Sequence, residues 1–140
     1  MADIHPQLLN DCLILGRFAL SHLLLMKDAN YPWFILVPDR EGISEIYQLP
    51  IADQKQLMEE SCRLADFLMQ SFNGDKMNIA AIGNIVPQLH LHHVVRYYTD
   101  PAWPVPVWGK LVMKDYTDSD LNNIIEKFKQ SKLKDFAFYE

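Results

Sequence analysis

The sequence lacks a long uninterrupted apolar segment, a cysteine pattern and any low-complexity linker. Its longest apolar run, residues 18–26, contains Ser21 and His22 and is much shorter than the roughly 20 residues of a membrane-spanning helix, so we predict no membrane span. Only two cysteines are present, Cys12 and Cys62, which excludes a disulfide framework and a four-cysteine metal site. Both have apolar neighbours and are predicted to be buried thiols.

Positive charge is also scarce, since 13 Lys and Arg stand against 18 Asp and Glu and give a formal net charge of −5. A protein that holds nucleic acid through a broad phosphate-neutralising surface has the opposite balance, so we predict no nucleic-acid partner. A small anionic ligand needs only a local group of donors and is compatible with this charge. The first residues lack the basic start of a secretory signal, which predicts a cytoplasmic protein.

The chain of 140 residues is long enough to bury a hydrophobic core, and 49% of its residues are hydrophobic. We predict one domain over residues 1–116, followed by a C-terminal helix and tail over residues 117–140. Short apolar stretches that end in turn-forming residues predict strands. These strands cover residues 13–18, 22–26 and 33–38, with a short edge strand at residues 45–47.

Helical spacing begins at Pro50 and predicts an amphipathic helix that ends near Phe72, at Asn73-Gly74, with Asp53 as a cap. Its predicted apolar face consists of Leu57, Cys62, Leu64, Ala65, Leu68, Met69 and Phe72.

The second half of the chain predicts an antiparallel hairpin and a final helix. The hairpin strands cover residues 77–82 and 89–98, joined by a loop slightly longer than two residues. The final helix contains residues 121–128 and is capped by Thr117 or Asp118, while the aromatic end at residues 136–139 has no predicted partner. This order of elements predicts an α+β fold.

Three of the five histidines lie within four residues, in the sequence Pro87-Gln88-Leu89-His90-Leu91-His92-His93-Val94-Val95-Arg96. On a strand, Gln88, His90 and His92 would share a polar face, while His93 would lie on the opposite, apolar face. The pair formed by His90 and His92 is compatible with three roles: metal ligands completed by other residues, solvated surface histidines, or a nucleophile and a neighbouring donor for transfer of a phosphoryl-type group.

Residues 78–96 resemble the signature of the histidine triad (HIT) superfamily, His-φ-His-φ-His-φ-φ, in which φ is apolar. Gln88 stands in the place of the first histidine, His90 and His92 take the second and third places, and His93 replaces the first trailing apolar residue. The order of elements follows the family over nearly the whole chain. The resemblance implies a HIT-like antiparallel sheet of about five strands, with one long helix packed on it and a C-terminal helix.

The resemblance also implies the chemistry. His90 would attack the α-phosphorus of a nucleotide ester, anhydride or phosphoramidate and form a nucleotidyl-histidine intermediate that water resolves. His92 would contact the phosphate or the leaving group. The turn from Asn84 to Gln88 would supply donors near the phosphate, and Asn78 is a further candidate nucleotide contact. The resemblance implies no cofactor and no metal ion.

Two positions depart from the family pattern. The amide of Gln88 can donate and accept hydrogen bonds as histidine does, so it can orient its neighbours, but it carries no charge and exchanges no proton. Some relatives carry a histidine shortly after the proline of the turn before the third strand. Here Trp33 and Phe34 follow Pro32, which predicts that the contact of that histidine in the base and ribose pocket is missing. His93 is predicted to be a core or interface histidine with a satisfied hydrogen bond.

The resemblance implies a ribose contact in the loop before the third strand, where the family commonly places an acidic or amide residue; Asp28 is the first candidate and Asn30 the second. The alternative is that Asp28 caps its own turn. The segment at residues 100–109, rich in Pro and Trp, is predicted to cover the active site or to pack across a partner subunit, and the family implies a homodimer.

The sequence therefore predicts a nucleotide hydrolase or nucleotidyl transferase that acts on a nucleoside phosphate derivative such as a dinucleoside polyphosphate or a nucleoside phosphoramidate. Two alternatives stay open: a non-catalytic nucleotide-binding regulator, in which Gln88 marks lost turnover, and a metal-binding protein that uses His90 and His92.

Overall fold

Six strands form one antiparallel sheet in the computed structural model, which describes residues 2–139. The order across the sheet is β4-β5-β3-β2-β1-β6. The strands are β1 (Cys12–Arg17), β2 (Ser21–Met26), β3 (Trp33–Pro38), β4 (Lys76–Ala80), β5 (Leu91–Arg96) and β6 (Ala137–Phe138). The helices are α1 (Pro6–Asp11), α2 (Ile51–Phe72) and α3 (Asp118–Lys129). The predicted α+β class is confirmed.

The third strand has the predicted limits, and the first two differ from the prediction by one residue. The edge strand predicted at residues 45–47 is wrong, because the chain forms a 3-10 turn at Ile46–Gln48. The antiparallel pairing of β4 with β5 is confirmed, but the loop between them has ten residues (81–90) rather than slightly more than two. The strand predicted over residues 89–98 is shorter for this reason, and it begins only at Leu91.

The long helix α2 ends as predicted, at a left-handed Asn73 with φ of 50°. Asp53 is not its cap: Pro50 occupies the cap position, and the carboxylate of Asp53 instead pairs with Arg40 at 2.8 Å. The prediction that both thiols are buried is right for Cys12 and wrong for Cys62, which lies on the exposed face of α2. Within residues 2–139, no helix combines the length and apolar character needed to cross a bilayer.

The aromatic C-terminal end does have a partner, contrary to the expectation. Ala137 and Phe138 form β6 and pair with β1 at Arg17 and Gly16, which makes six strands rather than about five. A Cβ atom at Gly16 would overlap the backbone oxygen of Ala137, so the glycine permits this close approach. The final helix α3 begins after Thr117, whose side chain accepts a hydrogen bond from the amide of Asp120, as one of the two predicted caps.

The two faces of the sheet carry separate cores. One face packs under α2 and α3 through a cluster that includes Leu23, Phe34, Leu64, Val95 and Phe128, so the helix beyond residue 116 shares this core. The boundary predicted at residue 116 stays a prediction. The opposite face is covered by α1, the β4–β5 loop and the segment at residues 100–109, through Leu8, Trp33, Ile35, Val86, Val94, Ala102 and Val107.

A buried ion pair fixes the end of β5. The side chains of Arg96 and Asp100 are 1% and 2% exposed, and the guanidinium binds both carboxylate oxygens, at 2.7 and 3.1 Å. Its third nitrogen donates to Oδ1 of Asn78 on β4 at 2.9 Å. The guanidinium also lies over the rings of Tyr31 and Trp103, at 5.5 and 5.4 Å. This network ties the segment at residues 100–109 to the sheet.

We predict that Arg96→Met lowers the free energy of unfolding by about 3 to 5 kcal/mol, because Asp100 would be left buried without its counter-charge. The matched control is Arg63→Met, which removes two exposed pairs at 3.4 Å, with Glu59 and Asp135, and should cost about 0 to 1 kcal/mol. Urea unfolding at pH 7 measures both values. Equal losses in the two variants would contradict the prediction.

His93 is a core histidine, as predicted. It is 0% exposed, its Nε2 lies 2.7 Å from Oγ of Ser61 on α2, and its Nδ1 lies 3.1 Å from the carbonyl oxygen of Leu91. Burial lowers its pKa to about 4, while the hydrogen bond to Leu91 acts in the opposite direction. His93 is therefore neutral in the folded protein at pH values where an exposed histidine already takes up a proton.

This difference predicts a pH dependence of stability. Because the pKa of His93 is lower in the folded than in the unfolded state, unfolding takes up a proton between about pH 6.5 and 4. The contribution of neutral His93 to the free energy of unfolding is therefore fully present above that range and is lost as the pH falls through it. Relative to His93→Gln, the wild type should lose up to about 1.4 kcal/mol per pH unit in this range. Urea unfolding at pH 7 and pH 5 measures this difference, and parallel pH profiles for the two proteins would contradict the prediction.

Candidate active site

The two predicted reactive histidines lie side by side at the start of β5. His90 is the last residue of the β4–β5 loop, and His92 is on the strand, opposite Ile35 of β3. Both are buried, with 5% and 4% of their surface exposed. The ring centroids are 4.9 Å apart, in an edge-to-face arrangement. The structure therefore brings the predicted pair together, but Gln88 and His90 precede the strand rather than lying on it.

The protonation of His90 follows from its hydrogen bond. Its Nδ1 lies 2.7 Å from the backbone carbonyl oxygen of Gln88. A carbonyl oxygen only accepts, so the neutral ring carries its proton on Nδ1. Its Nε2 consequently has a free lone pair, which is what a nitrogen nucleophile requires.

His92 has the opposite arrangement. The indole Nε1–H of Trp33 donates to Nδ1 of His92 at 3.0 Å. An indole N–H can only donate, so Nδ1 of the neutral His92 is unprotonated and the proton is on Nε2. Trp33 thus supplies a hydrogen bond to this histidine, while the absence of a nucleotide contact from this position stays a prediction. His90 offers a lone pair at Nε2, and His92 offers an N–H at Nε2.

The surroundings keep His92 neutral. Its ring contacts Trp33 and Trp108, with centroid distances of 5.7 and 5.3 Å. Burial above all, and then the neighbouring His90, lower its pKa to about 4, although a hydrogen bond to the backbone of Ile82 partly opposes these effects. At neutral pH His92 is therefore a hydrogen-bond donor without a charge.

The loop in front of His90 approaches it closely. A Cβ atom at Gly83 would lie 2.9 Å from the carbonyl oxygen of Val86 and 3.7 Å from Cε1 of His90. A side chain at this position would therefore force the loop away from the imidazole. The next two residues, Asn84 and Ile85, are exposed.

The side chain of Gln88 is hydrogen-bonded to the N-terminal segment. Its Oε1 accepts from the backbone amide of His5 at 2.8 Å, and its Nε2 donates to the backbone oxygen of Asp3 at 2.9 Å. Both polar atoms of the amide thus bind the N-terminal segment, while the backbone carbonyl of the same residue orients His90.

The three predicted nucleotide-binding residues are in different situations. Asp28 is 3% exposed, and its Oδ1 accepts from the backbone and side chain of Asn30 and from the amide of Lys114. It therefore caps its own turn, which was the alternative to a ribose contact. Asn78 accepts from Arg96. Asn84, in the loop next to His90, is exposed to solvent.

Sequence reasoning missed Trp33 and Trp108 as residues of the site. Trp108 packs edge-on against His92 and against Trp33, so the segment at residues 100–109 covers the site within the same chain, one of its two predicted roles. Its buried Nε1–H has no hydrogen-bond partner among residues 2–139. The unusual density of Pro and Trp in this segment was the available signal.

In the part of the chain that the structure describes, no group of three or more His, Cys, Asp or Glu side chains is arranged to hold a metal ion. The Nδ1 atoms of His90 and His92 are already used in hydrogen bonds to protein groups.

Comparison with known proteins agrees with this geometry. Residues 7–99 match the model of the HIT domain. A histidine triad protein from Marinobacter aquaeolei VT8 has 50% sequence identity and a TM-score of 0.89 over 92% of this chain and 94% of that chain. A histidine triad protein from Bradyrhizobium japonicum has 41% identity and a TM-score of 0.90 over 91% of this chain and 96% of that chain.

A third solved structure, a histidine triad (HIT) protein from Sinorhizobium meliloti 1021, has 34% identity and a TM-score of 0.88 over 91% of this chain and 95% of that chain. The comparison with curated proteins returns no match. The family model and the three structures, which agree over nearly the whole chain, establish that this chain belongs to the HIT family.

Proposed function

We propose that the protein is a nucleotide hydrolase or nucleotidyl transferase in which His90 is the nucleophile. The observation that carries this proposal is the pair of opposite tautomers: a free lone pair on Nε2 of His90 beside an N–H on Nε2 of His92. Attack on phosphorus needs an unprotonated nitrogen and a donor for the negative oxygens, and these two groups supply both.

In the first step, Nε2 of His90 forms a bond to the α-phosphorus as the bond to the leaving group breaks, and the leaving group departs with the electron pair and takes up a proton from solvent; the water that attacks in the second step returns a proton to solvent. The imidazole then carries a positive charge, which the hydrogen bond from Nδ1–H to the Gln88 carbonyl stabilises. In the second step, water attacks the phosphorus, the N–P bond breaks, and the nucleoside monophosphate leaves as His90 regains its lone pair.

The donors for the phosphate would be the unpaired Nε1–H of Trp108, the exposed amide of Asn84 and Nε2–H of His92, which would exchange its hydrogen bond to the backbone of Ile82 for one to the phosphate. Asp28 and Asn78 would have to exchange their present partners, Asn30, Lys114 and Arg96, in order to contact the nucleoside. Asn84 is therefore the strongest of the three predicted nucleotide contacts.

Access for substrate would require movement of the β4–β5 loop. The space beside His90 is only about 10 Å³ and includes Gly83, Ser44 and Gln88. A cleft of about 470 Å³ adjoins it, shares Ser44 and Gln88, and is otherwise lined by residues 2, 3, 5, 40–43 and 87. This volume lies in the range of small-ligand sites.

The test of the mechanism is His90→Ala, assayed on nucleoside phosphoramidates and dinucleoside polyphosphates with mass detection of the released nucleotide. We expect turnover to be abolished while nucleotide binding survives, because the covalent route is lost and ground-state contacts come from other residues. His92→Ala should lower kcat by roughly 10²- to 10³-fold, as for the loss of one transition-state donor.

Quenching the wild-type reaction should trap a nucleotide monophosphate on the peptide that contains His90. The matched control is His93→Gln, which removes a buried imidazole from the opposite face of β5 and should retain turnover. Near wild-type turnover by His90→Ala would exclude His90 as the nucleophile.

We also propose that the protein is a homodimer in the cytoplasm. β4 lies at one edge of the sheet, Ile79 on it is 47% exposed, and Pro104, Pro106 and Trp108 line a groove beside the strand. An open edge with apolar side chains is suited to pairing with the same edge of a second copy.

Light scattering at micromolar concentration should therefore report a dimer. Ile79→Asp should shift the protein toward monomer, because it places a charge in the proposed interface, whereas Val112→Asp at a 91% exposed position outside this edge should not. A wild-type monomer across the micromolar range would contradict the proposal.

A further inference from the structure

The position that distinguishes this chain from the family motif is also the position that orients the proposed nucleophile. Gln88 replaces the first histidine of the motif, and its backbone carbonyl accepts the Nδ1–H of His90 at 2.7 Å. The tautomer of His90 therefore depends on where the backbone of Gln88 is held.

That backbone lies in a loop. Residues 81–90 form neither helix nor strand, so no strand pairing fixes the carbonyl of Gln88. The next amide, Leu89 N–H, donates to the carbonyl oxygen of Ile43 at 2.9 Å and holds one side of the peptide. The other support is the side chain of Gln88, which binds the backbone of Asp3 and His5.

The N-terminal segment is a firm anchor because it is held on both sides of these contacts. The amide of Ala2 donates to Oδ1 of Asp39 at 2.7 Å. On the other side, Nδ1 of His5 accepts from the amide of Gln7 and caps α1. Leu8 of that helix is 4% exposed and belongs to the second core.

An amide is chemically suited to this contact. It presents one donor and one acceptor side by side without charge, and these match the backbone oxygen of Asp3 and the backbone amide of His5. In a parallel pair of strands, the N–H and C=O of one residue bind the C=O and N–H of two residues that are two positions apart on the neighbouring strand. The side chain of Gln88 binds Asp3 and His5 in the same way. A carboxylate would lose the donor and place an oxygen against the oxygen of Asp3.

We propose that Gln88 is a positioning residue: its side chain binds the backbone of residues 3–5 and thereby holds the carbonyl that keeps the proton of His90 on Nδ1. The consequence for turnover rests on the proposed function, in which the free Nε2 of His90 is the nucleophile. The hydrogen-bonded arrangement itself can be measured without a substrate.

The experiment compares Gln88→Leu and Gln88→Glu with the control Gln54→Leu. Gln54 also donates to a backbone oxygen, that of Leu49 at 2.9 Å, but it does so at the start of α2. NMR of the imidazole nitrogens at pH 7.5 reports the tautomer of His90. We expect one Nδ1–H form in the wild type and in Gln54→Leu, and a mixture of tautomers in both Gln88 variants.

With a substrate in hand, kcat of Gln88→Leu should fall by roughly 10- to 100-fold with little change in KM, because orientation rather than binding is lost. A variant that lacks residues 2–4 should show the same change in tautomer. Combining it with Gln88→Leu should add little, because both changes remove one interaction.

An unchanged His90 tautomer in Gln88→Leu, together with faster hydrogen exchange of the His5 amide, would overturn the proposal, because Gln88 would then only anchor the N-terminus. If Gln88→Leu changes the tautomer of His90 but the wild-type protein turns over no nucleotide, the positioning role is supported and the proposed function is overturned instead.

Discussion

The burial of β5 on both faces is the constraint on which the rest of the structure depends. All six residues of this strand are buried, although they include two histidines and an arginine. Each polar side chain must find a partner where it lies, because an unpaired buried group costs about 1 to 3 kcal/mol. His93 meets Ser61 beneath the helices, His92 meets Trp33 on the other face, and Arg96 meets Asp100.

These partners also determine the chemistry of the site. An indole can only donate and a backbone carbonyl can only accept, so the two contacts leave His90 and His92 in opposite tautomers. The same burial that requires these contacts keeps His92 neutral. One hydrogen bond on the strand and one at the end of the preceding loop therefore leave an N–H and a lone pair side by side, as the proposed reaction requires.

The features that could be predicted from the sequence are those with a strong local pattern. Five consecutive bulky residues followed by a proline predicted the limits of β3, and helical spacing ended by Asn73 predicted the end of α2. The motif identified His90 and His92 as neighbours. The opposite faces of His92 and His93 follow from strand alternation alone.

The remaining features depend on contacts between distant parts of the chain. Trp33 reaches His92 only because β3 and β5 pair with Ile35 opposite His92, a register that no local pattern specifies. The contacts of Gln88 with the N-terminal segment join residues 83 and 85 positions apart. Alternation predicted that Gln88 faces the same way as His92, but a loop conformation at residues 81–90 removes the basis for that argument.

Gln88 and Trp33 have the same chemical character. At position 88 and directly after Pro32, this chain has an amide and an indole. Neither group titrates near neutral pH, yet each forms a hydrogen bond with a defined direction. The backbone carbonyl of Gln88 accepts from His90, and the indole of Trp33 donates to His92. In the proposed reaction, the orientation of these two rings is thus set by groups whose protonation does not change during turnover.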